Sequence, residues 1–206
     1  ILSIDVSRAQ ALKGVKGVIS SADIPDHPLS EPPYAPIIND LHDISRNVMA
    51  REKALYDGHA LAAVAATSEE IAQKALKLIS VEYEVLPHVL DPLEAAAPNA
   101  PILHEYQYTH GIEPKPDGPS NVFRTISGQR GNLEKGFAEA DVIIEREFAS
   151  QPVHQGYIEP LACIASTSED GAVELWTTTQ GHFVIRMLCA KLLKMDTAMI
   201  RVTPSE

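Results

Sequence analysis

Cysteine is nearly missing from this chain: Cys163 and Cys189 are the two among 206 residues, they show no C-x-x-C spacing, and each lies within an apolar run. That excludes a disulfide framework and points to reduced structural thiols in a cytoplasmic setting. Basic residues are also few, 17 Lys and Arg against 28 Asp and Glu, for a formal net charge of -11 and a pI near 5.1. Without clustered cations to displace counterions from phosphates, nucleic acid and anionic membrane are excluded as partners. No apolar run approaches the roughly 20 residues that a bilayer crossing needs, and no charged-then-apolar leader opens the chain. Neither G-x-x-x-x-G-K-[ST] nor G-x-G-x-x-G occurs, so Ser127-Gly128-Gln129-Arg130-Gly131 reads as a glycine turn leading into a helix. A G-x-S-x-G elbow is missing too, which leaves a hydrolase without support. His154 and Glu159 make no chelate, because a spacing of five in extended chain puts them on opposite faces and no third ligand stands near.

What is present suffices for a core: 45% of residues are hydrophobic and length allows one or two domains. The first third alternates short strands with two helices, the order of a compact α/β unit. "ILSIDV" reads as a strand, Ser7 as the N-cap of a short helix through Lys13, and "GVKGVISSADIP" as a strand into a turn. "DHPLSEPPYAPI" is loop. "ALYDGHALAAVAAT" predicts two strands about an Asp57-Gly58 turn, and "TSEEIAQKALKLIS" a helix opened by a Thr67-to-Glu70 capping box with Ile71, Ala75 and Ile79 on one face. A strand from Ser80 to Leu86 follows. From about Asp91 to Val122, Pro92, Pro98, Pro101, Pro114, Pro116 and Pro119 forbid any long element and mark a connection.

Beyond it, "GNLEKGFAEA" predicts a helix packed through Leu133 and Phe137, and "DVIIEREFAS" alternates as a strand. "LACIAST", a Glu169-Asp170-Gly171 turn and "AVELWTTTQ" form a hairpin with Glu159 at one end and Gln180 at the other. Phe183, Met187, Ala190 and Leu193 give a helix at three- and four-residue spacing, and "AMIRVTP" a last strand. Glu159 precedes Pro160, which cannot donate to a ladder, so its carboxylate lies at a strand boundary; it is either a site carboxylate or a solvent-facing turn residue. Gln180 stands at a strand-to-helix junction, where open α/β layers present ligand-binding groups, or else caps backbone at the helix start. His104 and His110 decorate the proline-rich loop. The chain opens mid-pattern at Ile1 without Met and stops just after a strand, as a fragment of something larger would.

Taken in order, "ILSIDVSRAQALKGVKGVISSADIP", "REKALYDGHALAAVAATSEEIAQKALKLISVEYEVLPHVLDP", "NVFRTISGQRGNLEKGFAEADVIIEREF", "HQGYIEPLACIA" and "VELWTTTQ…IRVTP" resemble the molybdopterin-binding large subunit of the xanthine dehydrogenase and aldehyde oxidase family. Y-D-G-x-x-x-A-A-V and E-P-x-x-x-x-A are the most diagnostic pieces. The resemblance implies a mixed α+β chain: an N-terminal α/β hammerhead domain over residues 1–91, a proline-rich connector over 92–122, and the truncated first part of a two-layer α/β molybdenum-cofactor-binding domain over 123–206. It implies a molybdopterin-type cofactor whose molybdenum is held by the pterin's dithiolene rather than by protein ligands. The family's reaction adds a water-derived oxygen to an aldehyde or aromatic N-heterocycle and passes electrons to 2Fe-2S clusters, commonly on to FAD, on partner subunits or fused domains. Gln180 matches the glutamine that hydrogen-bonds an oxygen on molybdenum, a role suited to a neutral amide donor. Glu159 in "YIEP" matches a position near the same face with a weaker, partly architectural role, and Gly181 and His182 follow at the helix start, where they either line the same cofactor pocket or serve structure alone.

The departures limit what these residues can do. The family's glycine-rich G-G-x-F-G-G segment and its general-base glutamate have no counterpart in the 206 residues. No catalytic residue is therefore placed, and the piece alone is expected to be inactive and to hold no cofactor tightly. The other reading is a non-catalytic assembly module packing against an iron–sulfur partner subunit.

Overall fold

A computed structural model describes residues 1–29, 40–114 and 116–205. Strand β1 (Ser3–Asp5) pairs antiparallel with β4 (Ser80–Glu82), and β2 (Val15–Ser20) pairs antiparallel with β3 (Ala62–Ala66). Helices α1 (Ser7–Gln10) and α3 (Glu69–Leu76) pack beside β2 and β3. Their meeting point is Ala9, Val18 and Ala75, ringed by Val6, Leu12, Val15, Val64, Leu78 and Ile79. Two alanines at the centre let helix and strand backbones approach closely, so a core forms although each element is short.

Several local expectations change. Ser7 does not cap α1; Val6 is the N-cap, and the Asp5 carboxylate accepts the Ser7 N–H at 2.9 Å. Hydrogen bonds from the Ser7 hydroxyl and N–H hold the Asp5 carboxyl below the usual range. The helix ends at Gln10, short of Lys13. The cap of α3 is Ser68 rather than Thr67: its hydroxyl accepts the Ile71 N–H at 3.3 Å. Ser68→Ala is expected to cost about 1 kcal/mol in urea unfolding, and Thr67→Ala less than about 0.5; equal losses would return the cap to Thr67. Asp57-Gly58 does form a turn, with the His59 N–H on the Tyr56 carbonyl, but no strand precedes it. β3 takes β2 as partner instead, so the predicted hairpin is absent, and the strand expected through Leu86 stops at Glu82.

Helix α2 (Leu41–Val48) had no sequence prediction. Asp40 caps it by accepting the His42 N–H, and buried His27 and His59 clamp its surroundings. The His59 Nδ1 accepts the Leu55 N–H while its Nε2 donates to the Arg46 carbonyl, which fixes the neutral Nε2–H tautomer. Arg46 forms a two-nitrogen pair with Glu52. Residues 30–37 of the proline-rich stretch read as loop lie outside the described residues.

The chain forms two units, residues 1–84 with 157–206, and residues 85–156. In the second, α4 (Pro92–Ala95) is capped by Asp91 and α5 (Leu133–Ala138) by Asn132. Asn121 binds the unit's loops, donating to the Ala95 and Pro101 carbonyls and accepting the Leu103 N–H. Leu133 and Phe137 do not pack: both are 60% exposed. "DVIIEREFAS" forms no ladder among the described residues, and Phe148 is 90% exposed. Its alternation marks one face for burial, but a strand also needs a neighbour to take its N–H and C=O groups.

In the first unit, β5 (Cys163–Thr167) and β6 (Val173–Thr177) form the predicted hairpin, closed at Asp170-Gly171. After β6 the chain passes through α6 (His182–Leu193) and returns as β7 (Ile200–Pro204), parallel to β6. The three-stranded sheet runs β5-β6-β7 with α6 against β7. His27 Nε2 donates to the Leu192 carbonyl at the end of α6, tying this sheet-and-helix layer to the N-terminal elements of its own unit. Among the described residues, no helix is long and apolar enough to cross a membrane.

Candidate functional site at the carboxyl end of the parallel strands

The β6–α6–β7 crossover decides where ligand groups can gather. Parallel strands joined by a helix present their carboxyl ends and the helix N-terminus on one edge, where side chains and free N–H groups converge. Gln180 lies on that edge, three residues past β6 and two before α6. Glu159 arrives there from the other direction. In an antiparallel hairpin both flanks fall at the open end, and the register Cys163↔Thr177 puts Glu159 and Gln180 at the same end, away from the Asp170-Gly171 turn.

Hydrogen bonds close that end. The Thr178 N–H and the Thr177 hydroxyl both donate to the Ala162 carbonyl at 3.4 Å. The Ser205 N–H donates to the Thr177 carbonyl at 3.0 Å, extending the parallel pairing by one residue, and the Ser205 hydroxyl reaches Glu159 Oε1 at 3.4 Å. Glu159 is thus anchored to the residue just past β7, in keeping with an architectural part. Gln180 differs: it is exposed, and its amide makes no hydrogen bond with any described residue.

Gly181 is the N-cap of α6, and no side chain caps the helix there. The first-turn N–H groups that a cap would satisfy stay available, at the positive end of the helix dipole. Its φ of -132° needs no glycine, and a Cβ would meet Val184 Cβ at an ordinary 3.7 Å. His182 and Phe183 follow with ring centroids 4.2 Å apart. Cys163 is exposed and Cys189 half-buried, both as free thiols; burial, then Cys163, pushes the Cys189 thiol up. Among the described residues no three His, Cys, Asp or Glu side chains gather as metal ligands.

Two residues of this edge had not been singled out from the sequence, Ser205 and Thr179. The Thr179 hydroxyl accepts the Gly181 N–H at 3.0 Å. Its signal is legible afterwards, since a Thr two residues before a helix N-cap can close a Ser/Thr turn.

Comparison with known proteins decides the family. Residues 114–206 match the model of the molybdopterin cofactor-binding domain, and residues 1–87 that of the aldehyde oxidase and xanthine dehydrogenase a/b hammerhead domain. The chain belongs to the xanthine dehydrogenase and aldehyde oxidase family. Among relatives in this family, the carbon monoxide dehydrogenase large chain of Afipia carboxidovorans is 32% identical over 98% of the chain. Subunit gamma of the 6-hydroxypseudooxynicotine dehydrogenase complex of Paenarthrobacter nicotinovorans is 31% identical, also over 98%. Quinoline 2-oxidoreductase from Pseudomonas putida superposes over the whole chain with a TM-score of 0.76 at 27% identity. The chain spans 25% of the carbon monoxide dehydrogenase large chain, 24% of subunit gamma and 25% of the quinoline enzyme's chain. The mixed helix-and-strand fold is that of the family's molybdenum-cofactor-binding large subunits.

Proposed function

We propose that the chain is part of the large subunit of a molybdenum hydroxylase, a molybdopterin-dependent oxidoreductase of the xanthine dehydrogenase and aldehyde oxidase type, and that it supplies one wall of the cofactor site. The observation that carries this is Gln180: a neutral, solvent-facing amide without a partner among the described residues, on the edge where parallel strands and an uncapped helix start converge, in a segment matching the molybdopterin cofactor-binding domain. Those groups suit an oxygen-rich, anionic cofactor, because the amide donates without adding a titrating charge and the helix start offers N–H donors. When bound, the cofactor supplies the two-electron redox chemistry that oxidises the substrate carbon. Gln180 orients it through one hydrogen bond, Glu159 with Ser205 fixes the adjoining segment, and Gly181 leaves the helix start open.

In this reading residues 1–91 are the hammerhead domain, 92–122 a connector and 123–206 the first part of the cofactor domain. The substrate is an aldehyde or an aromatic N-heterocycle; the resemblance of the chain to quinoline and 6-hydroxypseudooxynicotine enzymes supports the second class. Electrons leave through 2Fe-2S clusters to FAD on partner subunits or domains, and the enzyme works in the cytoplasm.

The test is Gln180→Ala in the full-length subunit, assembled with its partners. Turnover is expected to fall about 10- to 100-fold with thermal stability retained. The 206 residues alone, assayed by elemental analysis, should lack stoichiometric molybdenum. Wild-type kinetics in the variant would remove Gln180 from the site, and stoichiometric metal in the short chain would overturn the view of it as a single wall.

A further inference from the structure

We infer that Thr179 is the positioning residue for Gln180, an inference that rests on the site reading above and deepens it. The residues between strand and helix belong to neither. The β6 ladder ends at Thr177, with Thr178 N–H on Ala162 and Ser205 N–H on Thr177 as the last bonds, and the helix ladder begins with Ile185 N–H on the Gly181 carbonyl at 3.0 Å. Across that gap the bond from Gly181 N–H to the Thr179 hydroxyl oxygen, 3.0 Å long, closes a ring around the Gln180 peptide.

Gln180 cannot hold itself in place, since its side chain is exposed and makes no hydrogen bond with a described residue. The direction in which its amide leaves the chain is set by the backbone, and the backbone is pinned by Thr179. Thr179 is itself half-buried, which shields the bond from water. Its branched Cβ restricts the first side-chain torsion, so the hydroxyl is held toward Gly181 at little entropic cost. Serine can make the same bond with more rotamer freedom; valine keeps the shape and loses the acceptor. Gly181 cannot substitute for this restraint, because it has no side chain to cap the turn.

A merely structural Thr179 would stabilise the start of α6 and affect turnover regardless of what stands at 180. A positioning Thr179 acts only through Gln180. The experiment is a double-mutant cycle in the full-length, assembled enzyme, with kcat, KM, molybdenum content and Tm measured for Thr179→Val, Thr179→Ser, Gln180→Ala and the Thr179→Val/Gln180→Ala pair. Thr179→Val is expected to lower kcat about tenfold with KM within about twofold, Thr179→Ser to restore kcat to within about threefold, and the pair to match Gln180→Ala within about twofold. If Thr179→Val still costs about tenfold in the Gln180→Ala background, or costs nothing when Gln180 is intact, the inference is overturned while the role of Gln180 stands. If Gln180→Ala alone leaves kcat unchanged, the site reading fails and takes this inference with it. Should the valine variant fail to assemble, Thr179→Ala carries the same cycle.

Discussion

Replacing Ile200 with alanine is expected to destabilise the chain by about 2–5 kcal/mol, the range seen for emptying a packed isoleucine site. Ile200 is 2% exposed and heads the large side chains that are fully buried among the described residues. It opens β7 opposite Val173, and its carbonyl accepts Arg186 Nε at 2.7 Å while the same guanidinium holds Thr197. The backbone here is fastened by the β6 ladder and by the Arg186 guanidinium, which resists collapse into the space an alanine leaves. Ile200→Val, one methyl smaller, should cost about 0.5–1.5 kcal/mol. The chain carries its own reporter, since its single tryptophan, Trp176, sits on neighbouring β6 opposite Thr203. Urea unfolding followed by that fluorescence gives the number, and a loss below about 1 kcal/mol would mean the site does collapse. Turnover should respond differently. Ile200 lies at the starting end of the β6–β7 pair, whose carboxyl end is roughly 13 Å away at the usual strand rise, and Gln180 lies beyond that end, so folded Ile200→Val enzyme should keep its kcat.

The same β6–α6–β7 unit shows what could be read from residues in advance. Asp170-Gly171 between two alternating runs specifies a local hairpin, and three- and four-residue apolar spacing from Phe183 specifies a helix, because both signals act between near neighbours. Pairing at long range left weaker marks. β3 reads equally well as a partner for the residues before Asp57, yet it pairs with the distant β2, a choice made by the burial of Val18 and Val64 against α3. "DVIIEREFAS" carries the alternation and finds no partner among the described residues, so pattern alone overstated it. α2 went unread for the opposite reason: Leu41, Ile44 and Val48 form a thin stripe after a proline-rich stretch, and its surroundings are fastened by His27, His59 and Arg46 contacts that no periodicity announces. At the site, Gln180 was legible as an amide at a strand-to-helix junction. Thr179 and Ser205 were not, since a hydroxyl gains meaning only from the N–H or carboxylate that the fold places beside it.

Gly111→Ala is the second large effect expected, about 2–4 kcal/mol against the unit formed by residues 85–156. Two costs add. Gly111 has φ +80°, a left-handed conformation that costs an L-residue about 1–2 kcal/mol. A Cβ there would also clash with the Thr125 carbonyl oxygen, backbone that cannot swing aside as a side-chain tip could. That carbonyl belongs to the residue whose N–H donates to the His110 carbonyl at 2.9 Å, and His110 N–H in turn donates to the Phe123 carbonyl, so moving Thr125 loosens the bridge that joins the two loop segments. Gly131 separates the two costs. It has the same φ of +80° in the same unit, but nothing lies within 4 Å of the position its Cβ would take. Gly131→Ala should therefore lose only the conformational part, about 1–2 kcal/mol, offset in part by a stiffer unfolded chain. Amide exchange at Thr125 reads the difference directly: protection should fall sharply in Gly111→Ala and stay near wild type in Gly131→Ala. Equal protection in the two variants would show that Thr125 yields without strain, leaving φ as the whole reason for glycine at 111.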